Sequence, residues 1–152
     1  MLQVTRARKS SFEATFSAKH FDHAATPAEL RELAARLVSS QRLHDAVELI
    51  FEGLKKHPES EDLLVMHALL SEVQHNWTEA SKTLKKLVAI QGKGVTTETW
   101  KHLVRVLRCA GDMEGAFQAN EQALKHAPND SFLVSEYLSL EAILELKIKA
   151  SA

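Results

Sequence analysis

Apolar residues recur along this chain at helical spacing, interrupted at regular distances by turns. Leu30, Leu33, Ala34 and Leu37 stand at i, i+3, i+4 and i+7, one stripe of an α-helix. The same spacing returns at Leu64, His67, Ala68 and Ser71, and again at Trp100, Leu103, Val104 and Leu107. Each stripe precedes a second helical stretch built around a small residue: HDAVELIFEGL, TEASKTLKKLV and EGAFQANEQAL. Their alanines, Ala46, Ala80 and Ala116, lie 34 and then 36 residues apart. Pro58, Gly92 and Pro128 close the three units, where a helix must stop. The two surplus residues fall in the QGKGVTT turn, and loops absorb insertions easily.

The pattern predicts an all-α chain with helix–turn–helix units over residues 27–60, 61–96 and 97–130. Asn129 and Asp130 are N-cap candidates for a closing helix over 131–152. Its apolar residues Phe132, Leu133, Leu140, Ile143, Leu146 and Ile148 spread over more than one stripe. One face should cover Leu107 and its neighbours, leaving the rest to fold back on the body or to meet a partner. Residues 1–26 read as an arm or short helix.

A period near 34 residues resembles the tetratricopeptide repeat (TPR), whose pattern is Trp-x2-Leu-Gly-x2-Tyr, then Ala-x3-Phe, then Pro. The third unit supplies Trp100, Leu103, Ala116 and Pro128, with the turn Gly111-Asp112. The first supplies Leu33, Ala46 and Pro58, with Leu30, Ala34, Leu37 and Ile50 as apolar substitutes. In the second, Ala68, Ala80 and Leu84 fit while His67 and Ser71 take apolar slots; in the third, Asn120 takes an aromatic one. The resemblance implies a right-handed α-solenoid of three repeats with a C-terminal capping helix. Alanine lets crossing helices approach, and each pair buries its second face against the next.

Composition narrows the function classes. The chain has 152 residues and a formal net charge of −1, so the whole molecule has no strong field for nucleic acid or anionic membrane. A single cysteine, Cys109, excludes an internal disulfide and a cysteine-rich zinc site and suits a reduced, cytoplasmic setting. No apolar run approaches a membrane span. The start carries Arg6, Arg8, Lys9 and Lys19 against Glu13; an organelle transit peptide shares that composition, and a loosely docked arm is the simpler reading.

The resemblance implies ligand binding on the concave surface lined by the first helix of each unit. Concave positions lie one step round from the core stripe: Arg31, Ala35 and Val38, then Val65, Leu69 and Glu72, then Lys101, Arg105 and Arg108. The last three stand at i, i+4 and i+7, so three cations share a face, and Glu98 and Glu72 are placed to relieve their repulsion. Either the face is merely solvated or it grips an acidic segment or terminal carboxylate. Val65 and Leu69 either pack between units or anchor an apolar ligand group. Chaperone-binding members of the family hold a terminal carboxylate with Lys and Asn side chains. Here Arg31 and Ala35 fill the first-unit positions and the asparagines are missing, so that clamp is incomplete.

Catalytic and metal chemistry find little support. His20 and His23 with Asp22 fall short of a closed metal site. His57 and His126 suit helix C-termini electrostatically, and Cys109 reads as a small buried helix residue. No phosphate loop, nucleophile elbow or carboxylate pair is present, so neither cofactor nor enzyme activity is expected. The leading expectation is a non-catalytic protein-interaction module taking a protein or peptide in its groove, for which an acidic ligand with an apolar anchor is the matching chemistry. The rival is a homodimer formed through the C-terminal helix or the N-terminal arm. An RNA-binding repeat ranks below both, because the basic face lacks stacking aromatics.

Overall fold

The computed structural model describes residues 25–152. Most of the expected N-terminal arm, with His20 and His23, lies outside them. The described residues form seven α-helices: α1 (Pro27–Ser39), α2 (Leu43–Lys56), α3 (Glu61–Val73), α4 (Trp77–Gln91), α5 (Thr97–Cys109), α6 (Met113–His126) and α7 (Ser131–Ser151). A single 3-10 turn, Gly92–Gly94, follows α4, and no strand occurs among the described residues.

Caps set the helix starts. Thr26 forms a full capping box with Glu29, and Pro27 opens α1, where its missing N–H costs nothing. Asn76, Thr96, Asp112 and Asp130 each accept a backbone N–H at the start of α4, α5, α6 and α7. Of the two candidates before the closing helix, Asp130 is the cap.

The turn inside each pair recurs in atomic detail. Gln41, His75 and Gly111 all adopt positive φ, at 60°, 56° and 80°. The residue after each donates its N–H to a carbonyl five residues back: Arg42 to Leu37 (2.8 Å), Asn76 to Ser71 (2.8 Å) and Asp112 to Leu107 (3.0 Å). This Schellman closure requires one left-handed residue, which glycine adopts freely and other residues do not. Only the third turn places a glycine there, so the sequence advertised one turn of the three.

Two compact units make up the chain, one ending at Leu70 and one running from Ser71 to Ala152. In the first, Leu30, Ala34 and Leu37 of α1 bury against Ala46, Leu49, Ile50 and Gly53 of α2, with Leu63 and Leu70 of α3 closing the cluster. Gly53 sits where a Cβ would come within 3.0 Å of Leu30 Cδ1 and 3.2 Å of Leu63 Cδ1, so it admits the neighbouring side chains. In the second, α5 presents Leu103, Val104, Val106 and Leu107 to the core, and α6 presents Ala116, Ala119, Asn120 and Ala123. Leu133 and Leu140 of α7 cover them, as expected of the closing helix. The register alanines Ala46, Ala80 and Ala116 are all fully buried.

Four buried residues among those described are polar, Ser71, Ser81, Thr83 and Asn120, and Asn120 is the deepest of them. Asn120 is fully buried in the register that Ile50 holds in the first unit, and neither end of its amide has a hydrogen-bond partner among the described residues. Cys109, read from sequence as buried, is instead exposed. It lies two residues past Leu107, off the stripe that α5 turns inward.

Candidate functional site

The expected binding residues fall into two groups, one per unit. In the first, Arg31 of α1 is exposed and pairs with Asp62 of α3 at 2.7 Å. Val65 is half-buried, while Leu69 is 43% exposed. A leucine that open on a helix otherwise packed through Leu63 and Leu64 has no core role, because its side chain already lies outside the stripe.

In the second unit, α5 carries Lys101, Arg105 and Arg108 on one face, and their environments differ sharply. Lys101 Nζ lies 2.7 Å from Asp130 Oδ2 and 3.2 Å from Glu98 Oε1, with the Phe132 ring 6.0 Å away. The hydrogen bond to Asp130, then that to Glu98, hold the Lys101 ammonium above its ordinary pKa. Asp130 is shifted below the usual carboxylate range, first by Lys101 and then by the N–H of Leu133 that it caps. Arg108 donates to Glu136 Oε2 at 2.8 Å and to Ser139 Oγ at 3.4 Å. Arg105 is exposed and makes no ion pair among the described residues. Glu98 thus does neutralise Lys101. Glu72 does not: it hydrogen-bonds His102 instead.

Two of the three cations therefore hold α7 in place, and one is left facing solvent. Sequence reasoning missed this because the partners lie about 30 residues downstream. A signal existed: Asp130 and Glu136 are six residues apart, nearly matching the seven between Lys101 and Arg108, as parallel helices would present them.

Elsewhere in this unit, Trp100 stacks on His126 at 6.4 Å between ring centroids, and Phe117 meets Tyr137 at 5.0 Å. An open cleft of about 510 Å³ lies between Glu114 and the end of α7, lined by Leu144, Lys147, Ile148, Ser151 and Ala152. Among the described residues no group of three or more His, Cys, Asp or Glu side chains is placed to hold a metal. No described helix is long and apolar enough to cross a membrane.

The sequence matches no protein-family model and no curated protein. Its backbone does match solved structures. The first TPR domain of Spaghetti (RPAP3), bound to the HSP90 peptide SRMEEVD, superposes with a TM-score of 0.63 at 16% identity, over 78% of this chain and 93% of that one. The TPR domain of Sgt2 from Aspergillus fumigatus gives 0.62 at 14% identity, over 83% of each. MamA gives 0.66 at 15% identity, over 93% of this chain and 80% of its own. The chain has the tetratricopeptide-repeat fold. The α-solenoid class expected from the repeat is the one found, with α7 following the third TPR pair.

Proposed function

We propose that this TPR chain is a non-catalytic protein-interaction module that captures a peptide or helix in the concave groove lined by the first helices of its repeats. Arg105 is the observation that carries the reading. It is exposed and unpaired among the described residues, on a face whose other two cations are neutralised internally. A guanidinium left open in that setting suits a ligand carboxylate, which it grips with paired hydrogen bonds. Leu69 supplies an apolar contact, with half-buried Val65 one turn earlier on α3 and Arg31 shared with Asp62. Lys101 and Arg108 contribute mainly by fixing α7. RPAP3, of the same fold, is solved with the peptide SRMEEVD, so a peptide ligand accords with the architecture. The incomplete chaperone clamp argues for a different sequence here.

The test is affinity capture with quantitative mass spectrometry, wild type beside Arg105→Glu and beside Leu69→Asp. Both positions are exposed, so helicity should be unchanged by circular dichroism. A partner lost from both variants supports groove capture. A partner retained by both with unchanged yield overturns it.

A further inference from the structure

One pair of positions returns at each junction between the first helices of successive units. At the first junction the pair is Val38 of α1 and Met66 of α3, both partly buried against the same apolar cluster. At the second it is Glu72 of α3, which hydrogen-bonds His102 of α5. At the third it is Arg108 of α5 and Glu136 of α7, 2.8 Å apart. The steps follow the repeat: Val38, Glu72 and Arg108 lie 34 and 36 residues apart, and Met66, His102 and Glu136 lie 36 and 34 apart.

The three junctions differ in what pH does to them. Valine and methionine carry no titrating group. Arginine keeps its charge throughout, and a glutamate is ionised above about pH 5. Of the three, the middle junction alone holds an imidazole, a group that ordinarily exchanges its proton between about pH 5 and 8. A neutral ring links to Glu72 through a single N–H. A protonated ring adds a full charge to the donor, so coulombic attraction joins the hydrogen bond. The His102 and Glu72 side chains are 18% and 24% exposed, so salt screens that attraction less than it would at the open surface.

The surrounding charges leave Glu72 as the dominant influence. On α5 itself, Glu98 lies one turn before His102 and is taken by Lys101. Arg105 lies one turn after it and is exposed, and like charges at that spacing repel only weakly. No carboxylate of α4, α6 or α7 reaches the ring among the described residues. Partial burial opposes charging the ring, a smaller effect because both side chains still meet solvent.

We propose that the Glu72–His102 pair is a pH-responsive junction, which tightens as the solution falls from about pH 8 to about pH 5.5 while the Val38–Met66 and Arg108–Glu136 junctions stay as they are. The response belongs to the repeat array and does not depend on what the groove binds.

Amide exchange measures the junction directly when read as protection factors, which remove the intrinsic pH dependence of exchange. From about pH 8 to about pH 5.5, protection in the last turn of α3 and the middle of α5 should rise several-fold, and by more than in α1 and α2. Glu72→Gln removes the carboxylate and His102→Gln removes the titrating ring, and each should abolish the rise. His75→Gln changes the histidine in the turn just past Glu72 and should leave the rise in place. Wild-type protection that does not change with pH overturns the proposal, whether or not the variants fold. A rise that survives both Glu72→Gln and His102→Gln, or that His75→Gln removes, overturns it too.

Discussion

Replacing Asn120 with leucine should stabilise the second unit. Asn120 is fully buried on α6 beside Ala116, Ala119 and Ala123, and both its amide oxygen and its amide nitrogen lack partners among the described residues. A buried polar group without a hydrogen bond costs about 1–3 kcal/mol, because its water contacts are lost and nothing replaces them. Leucine branches at the same carbon and has nearly the same shape, so it keeps the rotamer while removing the desolvation penalty. The register supports the exchange, since the matching position in the first unit is Ile50, also fully buried. Crowding is the opposing effect: two methyl groups are bulkier than the amide oxygen and nitrogen they replace, and overpacking a buried site costs about 1–3 kcal/mol, least where the neighbours are small, as the alanines of α6 are. The net expectation is a small gain, of about 1 kcal/mol.

Urea denaturation followed by circular dichroism measures that gain, and amide exchange on α6 localises it, because repeat arrays open in parts. The reverse substitution, Ile50→Asn, should cost about 3–5 kcal/mol by combining lost burial with a new unpaired amide. Asn120→Ala separates crowding from polarity: it removes the amide without adding volume. If Asn120→Leu and Asn120→Ala both destabilise by more than about 2 kcal/mol, the amide is satisfied in solution and the reasoning fails.

Other substitutions test the turns and the α7 anchor. Gln41→Gly and His75→Gly relieve a left-handed conformation and should each stabilise by about 0.5–1 kcal/mol; a loss in both urea midpoints would refute the turn argument. Asp112→Ala removes the 2.8 Å cap on Gly115 N and should cost about 1 kcal/mol by the same assay. Arg108→Ala releases Glu136 and Ser139 of α7; faster amide exchange in α7, with α1 and α2 unaffected, is the expected signature. Acid should loosen α7 too. Asp130 titrates below its ordinary value when folded, so its contribution is full above about pH 4 and is lost as pH falls through the folded pKa. Lys101, raised on folding, contributes fully below about pH 10 and loses its part only above that. Asp130→Asn keeps a capping side chain and should flatten the acid response of α7 exchange.

What the sequence made legible was whatever obeyed a period. The buried stripes, the crossing alanines, the helix stops before Pro58 and Pro128 and the Asp130 cap all follow from spacing and from what each residue does to its own backbone. The left-handed turn was legible only at Gly111, where composition matched conformation. Gln41 and His75 adopt the same geometry because the Schellman hydrogen bonds and the packing of the flanking helices impose it, at a local cost of about 1 kcal/mol that leaves no mark in the sequence. The basic face shows the complementary failure. Lys101, Arg105 and Arg108 share a helical face by spacing alone, but charge is a property of the assembled surface. Once α7 brings Asp130 and Glu136 against α5, a stripe of three cations becomes an anchor of two and a single open guanidinium. Under the groove-capture proposal, that subtraction lowers the acidity expected of a ligand from a charged cluster to one carboxylate, and it makes Arg105, rather than the whole stripe, the residue to substitute in testing it.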